Sequence, residues 1–321
     1  MLSMAKEYDV VVIGAGPGGM TAALYAARSN LRVVMLDRGI YGGQMNNTAS
    51  IENYPGFTSV LGPELGEKMY ATATNAGVEY AYGEVASIED EGDTKLIHTD
   101  EDDYRAKAVV LATGAEHRKV GVPGEEEYSG RGVSYCAVCD GAFFKGQPLA
   151  VIGGGDSAVE EGLYLAQLSP DVFVMHRRDQ LRAQQVLQHR AFANDHMHFV
   201  WNTQLQSIDG DGKKVTGVTY KDKVTGEEKH IPVGGVFIYV GVKPMTDSFK
   251  NLPILDDHGW ILTDDHMRTK VPGVFAVGDA RAKDLRQITT AVGEGGIAGQ
   301  QVFHYIQELG DKTAAVQQNA Q

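Results

Sequence analysis

Two glycine-rich turns, one in each half of the chain, constrain this sequence more than any other feature. The first lies in "YDVVVIGAGPGGMTAALYAAR", where Gly14, Gly16 and Gly19 keep a GxGxxG spacing. A near-continuous apolar run, Tyr8 to Ile13, precedes them and reads as a buried parallel strand. An alanine-rich helix is expected to begin near Pro17. The first glycine permits a tight turn, the second lets backbone approach a pyrophosphate, and the third lets helix and strand pack closely. Amides at the helix start then face the phosphates. The next strand, "LRVVMLD", ends at Asp37, 23 residues beyond Gly14. An acid at that register is placed to hold a ribose diol.

The same grammar returns in "QPLAVIGGGDSAVEEGLYLAQL", with Gly153, Gly155 and Ala158 at the three sites after a strand from Leu149 to Ile152. Here the count of 23 reaches His176, with Arg177, Arg178 and Arg182 around it. A carboxylate favours a free ribose hydroxyl and repels a phosphate; arginines invert that preference through charge-assisted contacts. The second site is therefore expected to prefer NADPH to NADH.

Only two cysteines occur in 321 residues, and both stand in "GVSYCAVCDGAFFKG" as Cys136 and Cys139. Two cannot build a disulfide framework. A second cysteine pair for zinc is absent, so no metal is expected. A working redox pair is the expected use, at a helix start where backbone dipoles lower a thiol pKa. Asp140 follows at once and, with a raised pKa, could move protons onto and off sulfur. Two mobile nicotinamides offer no resident route to such a disulfide. The first dinucleotide is therefore expected to be FAD, which accepts a hydride in one step and reduces a disulfide in the next.

A net charge of -13 argues against nucleic-acid partners, which want a basic face. The N-terminal stretch lacks the basic start and apolar core of a signal peptide, and no long uncharged apolar run is present. A cytosolic protein without membrane contact is expected. The Asn46-Asn47-Thr48 acceptor would then go unused.

Each half has a second glycine-bearing strand end, at Thr113-Gly114 and at Gly241. Small inserted sheets are expected before them, across Gly77–Tyr104 and His196–Ile231. Strand Val274 to Val277 ends at Gly278-Asp279, with a helix expected from about Ile288. An acid at that strand tip suits a cofactor's sugar or ribityl hydroxyls. The fold class expected is α/β, with two Rossmann-like domains, each three-layered around a parallel central sheet. Residues 1–117 and 247–321 form the FAD domain, into which the NADPH domain, 118–246, is inserted. Trp201 and Trp260 are expected to pack in sheets, Ala142 to Phe144 in the core, and the tail from Gly310 to fray.

These motifs together resemble the bacterial low-molecular-weight thioredoxin reductases, across residues 7 to 315. The resemblance rests on "GGQMNNTASIENYPGF", "ATGAEHRKVGVPGE", "GRGVSYCAVCDG", "GGGDSAVEEGLYLA", "HRRDQLRA" and "GVFAVGDARAKDLRQITTAVGEG". It implies an FAD-bearing homodimer that reduces thioredoxin with NADPH. It implies that Cys139 lies nearest the flavin, that Cys136 attacks thioredoxin, and that Asp140 handles the proton. Gly14, Gly16, Pro17, Gly19 and Asp37 would then hold FAD. Gln44, Asn53, Thr113, Asp279, Arg286, Gln287 and Ile288 would border its flavin and ribityl parts. Gly155, Asp156 and Ser157 would cradle the NADPH pyrophosphate, and Glu160 its nicotinamide end. Arg177, Arg178 and Arg182 would hold the 2'-phosphate, with His176 nearby. Glu294 stands where the family often has Asp. Domain rotation is implied, with hinges expected near His117–Gly121 and Gly241–Asp247. Rival readings are a reductase for another redoxin, a ferredoxin-driven enzyme, and a non-enzymatic flavin sensor switched by its disulfide.

Overall fold

The first glycine turn folds as strand, turn and helix in a computed structural model that describes residues 5–48 and 51–319. Strand β1 (Lys6–Ile13) leads into helix α1 (Pro17–Arg28) and strand β2 (Val33–Asp37). Pro17 takes the first helical position, where its missing N–H costs nothing. Helix α2 (Gly62–Asn75) and strand β3 (Glu79–Tyr82) follow. An antiparallel meander then runs through β4 (Val85–Asp90), β5 (Lys95–Thr99) and β6 (Asp103–Leu111).

The chain continues through β7 (Ala115–His117), β8 (Val133–Ser134) and the short helix α3 (Ala137–Asp140). The second glycine turn lies between β9 (Leu149–Gly153) and α4 (Asp156–Leu165). Then come β10 (Val172–Met175), α5 (Gln185–Phe192), β11 (Met197–Val200), β12 (Thr203–Gly210), β13 (Val215–Asp222), β14 (Glu228–Pro232) and β15 (Gly235–Tyr239). Strand β16 (Val242–Pro244), strand β17 (Val274–Ala276) and the long helix α6 (Ile288–Asn319) complete the order.

Two compact units result. One contains the residues up to Glu116 and those from Pro244 onward; the other is His117–Lys243. The chain changes unit within β7 and again within β16, and those two strands pair with each other.

In the first unit, β3, β2, β1, β6 and β17 form a parallel sheet. Strand β6 is long enough to pair with β5 near its start and with β17 near its end. Alternate side chains feed two cores, as the period of two requires. Val10, Val12, Val33 and Val110 meet the helices; Val11, Ile13, Leu36 and Val109 meet the other face. In the second unit the parallel order is β11-β10-β9-β15-β8. Leu149, Val151 and Val174 pack on α4, while Ala150, Ile152 and Val236 pack with the separate β12–β14 sheet.

Three expectations need correction. Both inserts begin later than their expected bounds, because β3 and β11 are edge strands of the parallel sheets. An edge strand is half exposed, so it alternates as an insert would. The stretch from Gly310 to Asn319 is helical; its alanines and glutamines favour helix. Phe143 is 45% exposed and Ala142 is exposed too, so of that run only the half-buried Phe144 packs on the core, against Phe237. Among the described residues no helix is long and apolar enough to cross a membrane.

Candidate active site

The carboxyl ends of β1, β6 and β17 adjoin: Ile13 pairs with Leu111, and Leu111 with Ala276. Gly14, Thr113 and Asp279 therefore crown one sheet edge, where open α/β sheets bind ligands. Gly14 has φ +105°, and a β-carbon there would sit 2.3 Å from the Ala112 carbonyl oxygen. One on Gly19 would lie 1.9 Å from the Gly14 carbonyl oxygen, so α1 approaches the turn only with glycine there. Beside Gly16 the space is open, and this residue caps α1 without a side-chain bond. Asp37 accepts the Ala15 and Gly39 amides at 2.7 and 2.9 Å, and so fixes the turn it faces.

Two buried polar atoms here, Thr113 Oγ1 and Asp279 Oδ1, have no hydrogen-bond partner among the described residues. The Lys283 ammonium stands 3.7 Å from the Asp279 carboxylate. Burial pushes the Asp279 carboxyl up, against Lys283 and Arg286. Unsatisfied buried groups are costly, and a hydroxyl-rich ligand relieves both. The residues present thus fit a dinucleotide with a sugar chain.

Glu294 on α6 gathers this loop. It accepts the Gly278 amide at 2.7 Å and pairs with Arg281 at 2.8 Å and Lys283 at 3.1 Å. Arg286 lies 3.8 Å above the Trp260 ring, and its Nε donates to the Asp279 carbonyl. Trp260 belongs to no named strand: it supports Arg286, contrary to the expectation of sheet packing. Asn53 donates to the Gln287 side chain at 3.1 Å, and Ile288 begins α6. Gln44 is exposed in a 3-10 turn spanning Gly43–Asn47.

In the second unit, Gly155 caps α4 with open space beside it. Asp156, Ser157 and Glu160 are exposed on its first turns. The Asp156 carboxylate accepts the Gln184 amide at 2.7 Å, which ties the loop after β10 to this turn. His176 is buried; a β-carbon on Gly154 would lie 2.3 Å from its Nδ1, so glycine makes room for the ring. Burial, then Arg182, Arg177 and Arg178, push its pKa down. Its Nε2 has no hydrogen-bond partner among the described residues. Arg177, Arg178 and Arg182 are exposed, and among the described residues none forms an ion pair with a carboxylate. Three unneutralised guanidinium groups fit a phosphate-bearing ligand.

Cys136 and Cys139 form a disulfide, with α-carbons 5.3 Å apart. Cys136 caps α3, its sulfur accepting the Cys139 amide at 3.2 Å. Burial raises the Asp140 carboxyl, and the Ser134 hydroxyl, donating at 2.5 Å, works against that. The same hydroxyl accepts the Cys136 amide at 3.1 Å. Ser134 thus joins acid to cysteine. Sequence reading missed it, since nothing in "VSYC" marks a serine as a partner six residues ahead. Among the described residues no cluster of three or more His, Cys, Asp or Glu could hold a metal.

The family described as "Pyridine nucleotide-disulphide oxidoreductase" matches residues 8–295. A thioredoxin reductase of Listeria monocytogenes is 56% identical over 98% of this chain and 99% of its own. One from Bacillus subtilis is 55% identical over 96% and 98%. The crystal structure of thioredoxin reductase from Streptococcus pyogenes aligns with a TM-score of 0.92 at 57% identity, covering 95% of this chain and all of that one. With a redox disulfide between two glycine fingerprints, the chain belongs to the thioredoxin reductase branch of the pyridine nucleotide-disulphide oxidoreductases.

Proposed function

We propose that this protein is an NADPH-dependent thioredoxin-disulfide reductase. The observation that carries the reading is the Cys136–Cys139 disulfide, in the same unit as a nucleotide turn flanked by three exposed arginines. The first unit is the FAD domain. Gly14, Gly16, Pro17 and Gly19 lay backbone against the pyrophosphate, and Asp37 takes the ribose. Thr113 and Asp279 face the ribityl chain; Gln44, Asn53, Arg286, Gln287 and Ile288 border the ring. His117–Lys243 is the NADPH domain. Gly155, Asp156 and Ser157 cradle its pyrophosphate, Glu160 meets the nicotinamide end, and Arg177, Arg178 and Arg182 beside His176 hold the 2'-phosphate.

When bound, FAD accepts a hydride from NADPH and passes two electrons to the disulfide. The chain's residues manage the rest. Cleavage of the S–S bond by those electrons would leave Cys136 as a thiolate and Cys139 as a thiol, whose proton Asp140 supplies from its buried position and takes back when Cys139 attacks. Cys136, as thiolate, attacks the thioredoxin disulfide, and the displaced thioredoxin sulfur takes up a proton. Cys139 then attacks the mixed disulfide, which frees reduced thioredoxin and restores the Cys136–Cys139 bond.

Nicotinamide and disulfide cannot occupy the same place on one ring face, and thioredoxin must also reach the sulfurs. The units therefore rotate between steps, about the paired strands β7 and β16. The protein works as a homodimer, in the cytosol. The experiment for this reading is NADPH oxidation by the purified flavoprotein with oxidised thioredoxin. Turnover that depends on both supports it; NADPH oxidation unaffected by thioredoxin contradicts it.

A further inference from the structure

A second acid stands by the redox turn, and the reaction as described does not use it. Glu161 lies on α4, one residue beyond the nucleotide-facing Glu160. The Tyr239 hydroxyl donates to Glu161 Oε2 at 3.4 Å and accepts the Ala137 amide at 2.7 Å. Tyr239 ends β15, and its backbone pairs with Gly153 of the nucleotide turn. A β-carbon on Gly153 would lie 2.5 Å from the Tyr239 carbonyl oxygen, so this tyrosine is held tightly. One side chain thus spans from the nucleotide turn to the residue after Cys136.

The amides after a cap cysteine are the donors that stabilise its thiolate. In this turn they are divided. The Cys139 amide reaches the Cys136 sulfur, whereas the Ala137 amide is taken by Tyr239. The Ala137 and Val138 amides also favour the charged form of Glu161, although burial pushes its pKa up overall. The titratable groups tied to the turn are Asp140 on α3, Glu161 on α4 with Glu160 beside it, and Tyr239 on β15, with Tyr135 just upstream. The Tyr135 hydroxyl is occupied by the buried Glu125, at 2.8 Å.

We infer that Glu161 and Tyr239 are positioning residues for the Cys136 nucleophile, holding amides and negative charge so that its thiolate is not over-stabilised. A thiolate made too stable is a weaker nucleophile and a better leaving group. The pair thereby favours attack on thioredoxin over collapse of the mixed disulfide back to oxidised thioredoxin. This rests on the function proposed above.

The test is the pH dependence of alkylation in the reduced holoenzyme. Iodoacetamide labelling, read by fragment mass spectrometry, reports Cys136 and Cys139 separately. Glu161→Gln keeps an amide acceptor but loses the charge; Tyr239→Phe loses the link. In both, the Cys136 midpoint is expected to fall by about one pH unit, with Cys139 moving less. The acid limb of kcat/KM for thioredoxin should shift down alongside. A Cys136 midpoint unchanged in Glu161→Gln, in protein that still binds FAD, overturns the inference. Wild-type protein that shows two alkylable thiols but fails to turn over thioredoxin overturns the proposed function instead.

Discussion

Ser134 is a small side chain with two duties, and they oppose each other usefully. Its hydroxyl donates to Asp140 and so favours the ionised acid, while burial favours the protonated one. Replacing Ser134 by Ala leaves burial unopposed, so the Asp140 pKa should rise further. The acid then keeps its proton to higher pH. The alkaline limb of kcat is expected to move up by about one unit, read from steady-state rates across pH. At the other end of the domain, Arg177→Ala with Arg178→Ala removes charge-assisted contacts of about 1.5–3 kcal/mol each. The KM for NADPH should rise at least about tenfold while that for NADH barely moves; equal changes would show that these arginines do not read the phosphate. The arginine cluster could be located in the sequence because a fixed register from Gly153 points to it, and its hold on a phosphate is what this substitution tests. Ser134, Trp260, Glu161 and Tyr239 were not legible there. Tyr239 meets Ala137 across 102 positions, and only the sheet brings them together.

At the scale of elements, helix α6 lies on α1 through small residues. A β-carbon on Gly295 would stand 2.4 Å from the Gly18 carbonyl oxygen, and one on Gly299 would stand 2.6 Å from that of Ala22. Backbone is the obstacle at both positions, so it cannot swing aside. Gly295→Ala should therefore separate the helices and cost about 1–3 kcal/mol, with a lower Tm. Because α1 begins at the FAD turn, the purified variant should also retain less flavin, read as the ratio of visible to ultraviolet absorbance. The strand–turn–helix units around Gly14 and Gly153 were legible because each is local and each glycine has one job. Edge strands β3 and β11 were not, since half exposure makes them alternate. The run around Phe143 misled because apolar character does not report exposure.

For the whole molecule, the order of units was legible in the return of the glycine grammar and the later Asp279 strand tip. The proposed rotation rests on the resemblance and on the needs of the chemistry, because a rotation leaves no periodicity. If rotation occurs in every turnover, kcat with thioredoxin should fall as sucrose raises viscosity. Reduction of bound flavin in a pre-formed NADPH complex should respond less. Homodimerisation is checked by light scattering, which should report about twice the 34.7 kDa of one chain. The central claim is that electrons leave the flavoprotein only through Cys136 and Cys139. Stopped-flow flavin absorbance on Cys136→Ser, paired with thioredoxin turnover, tests it most directly. The account predicts that NADPH still bleaches the flavin while thioredoxin reduction is lost; full thioredoxin turnover by this variant would contradict it.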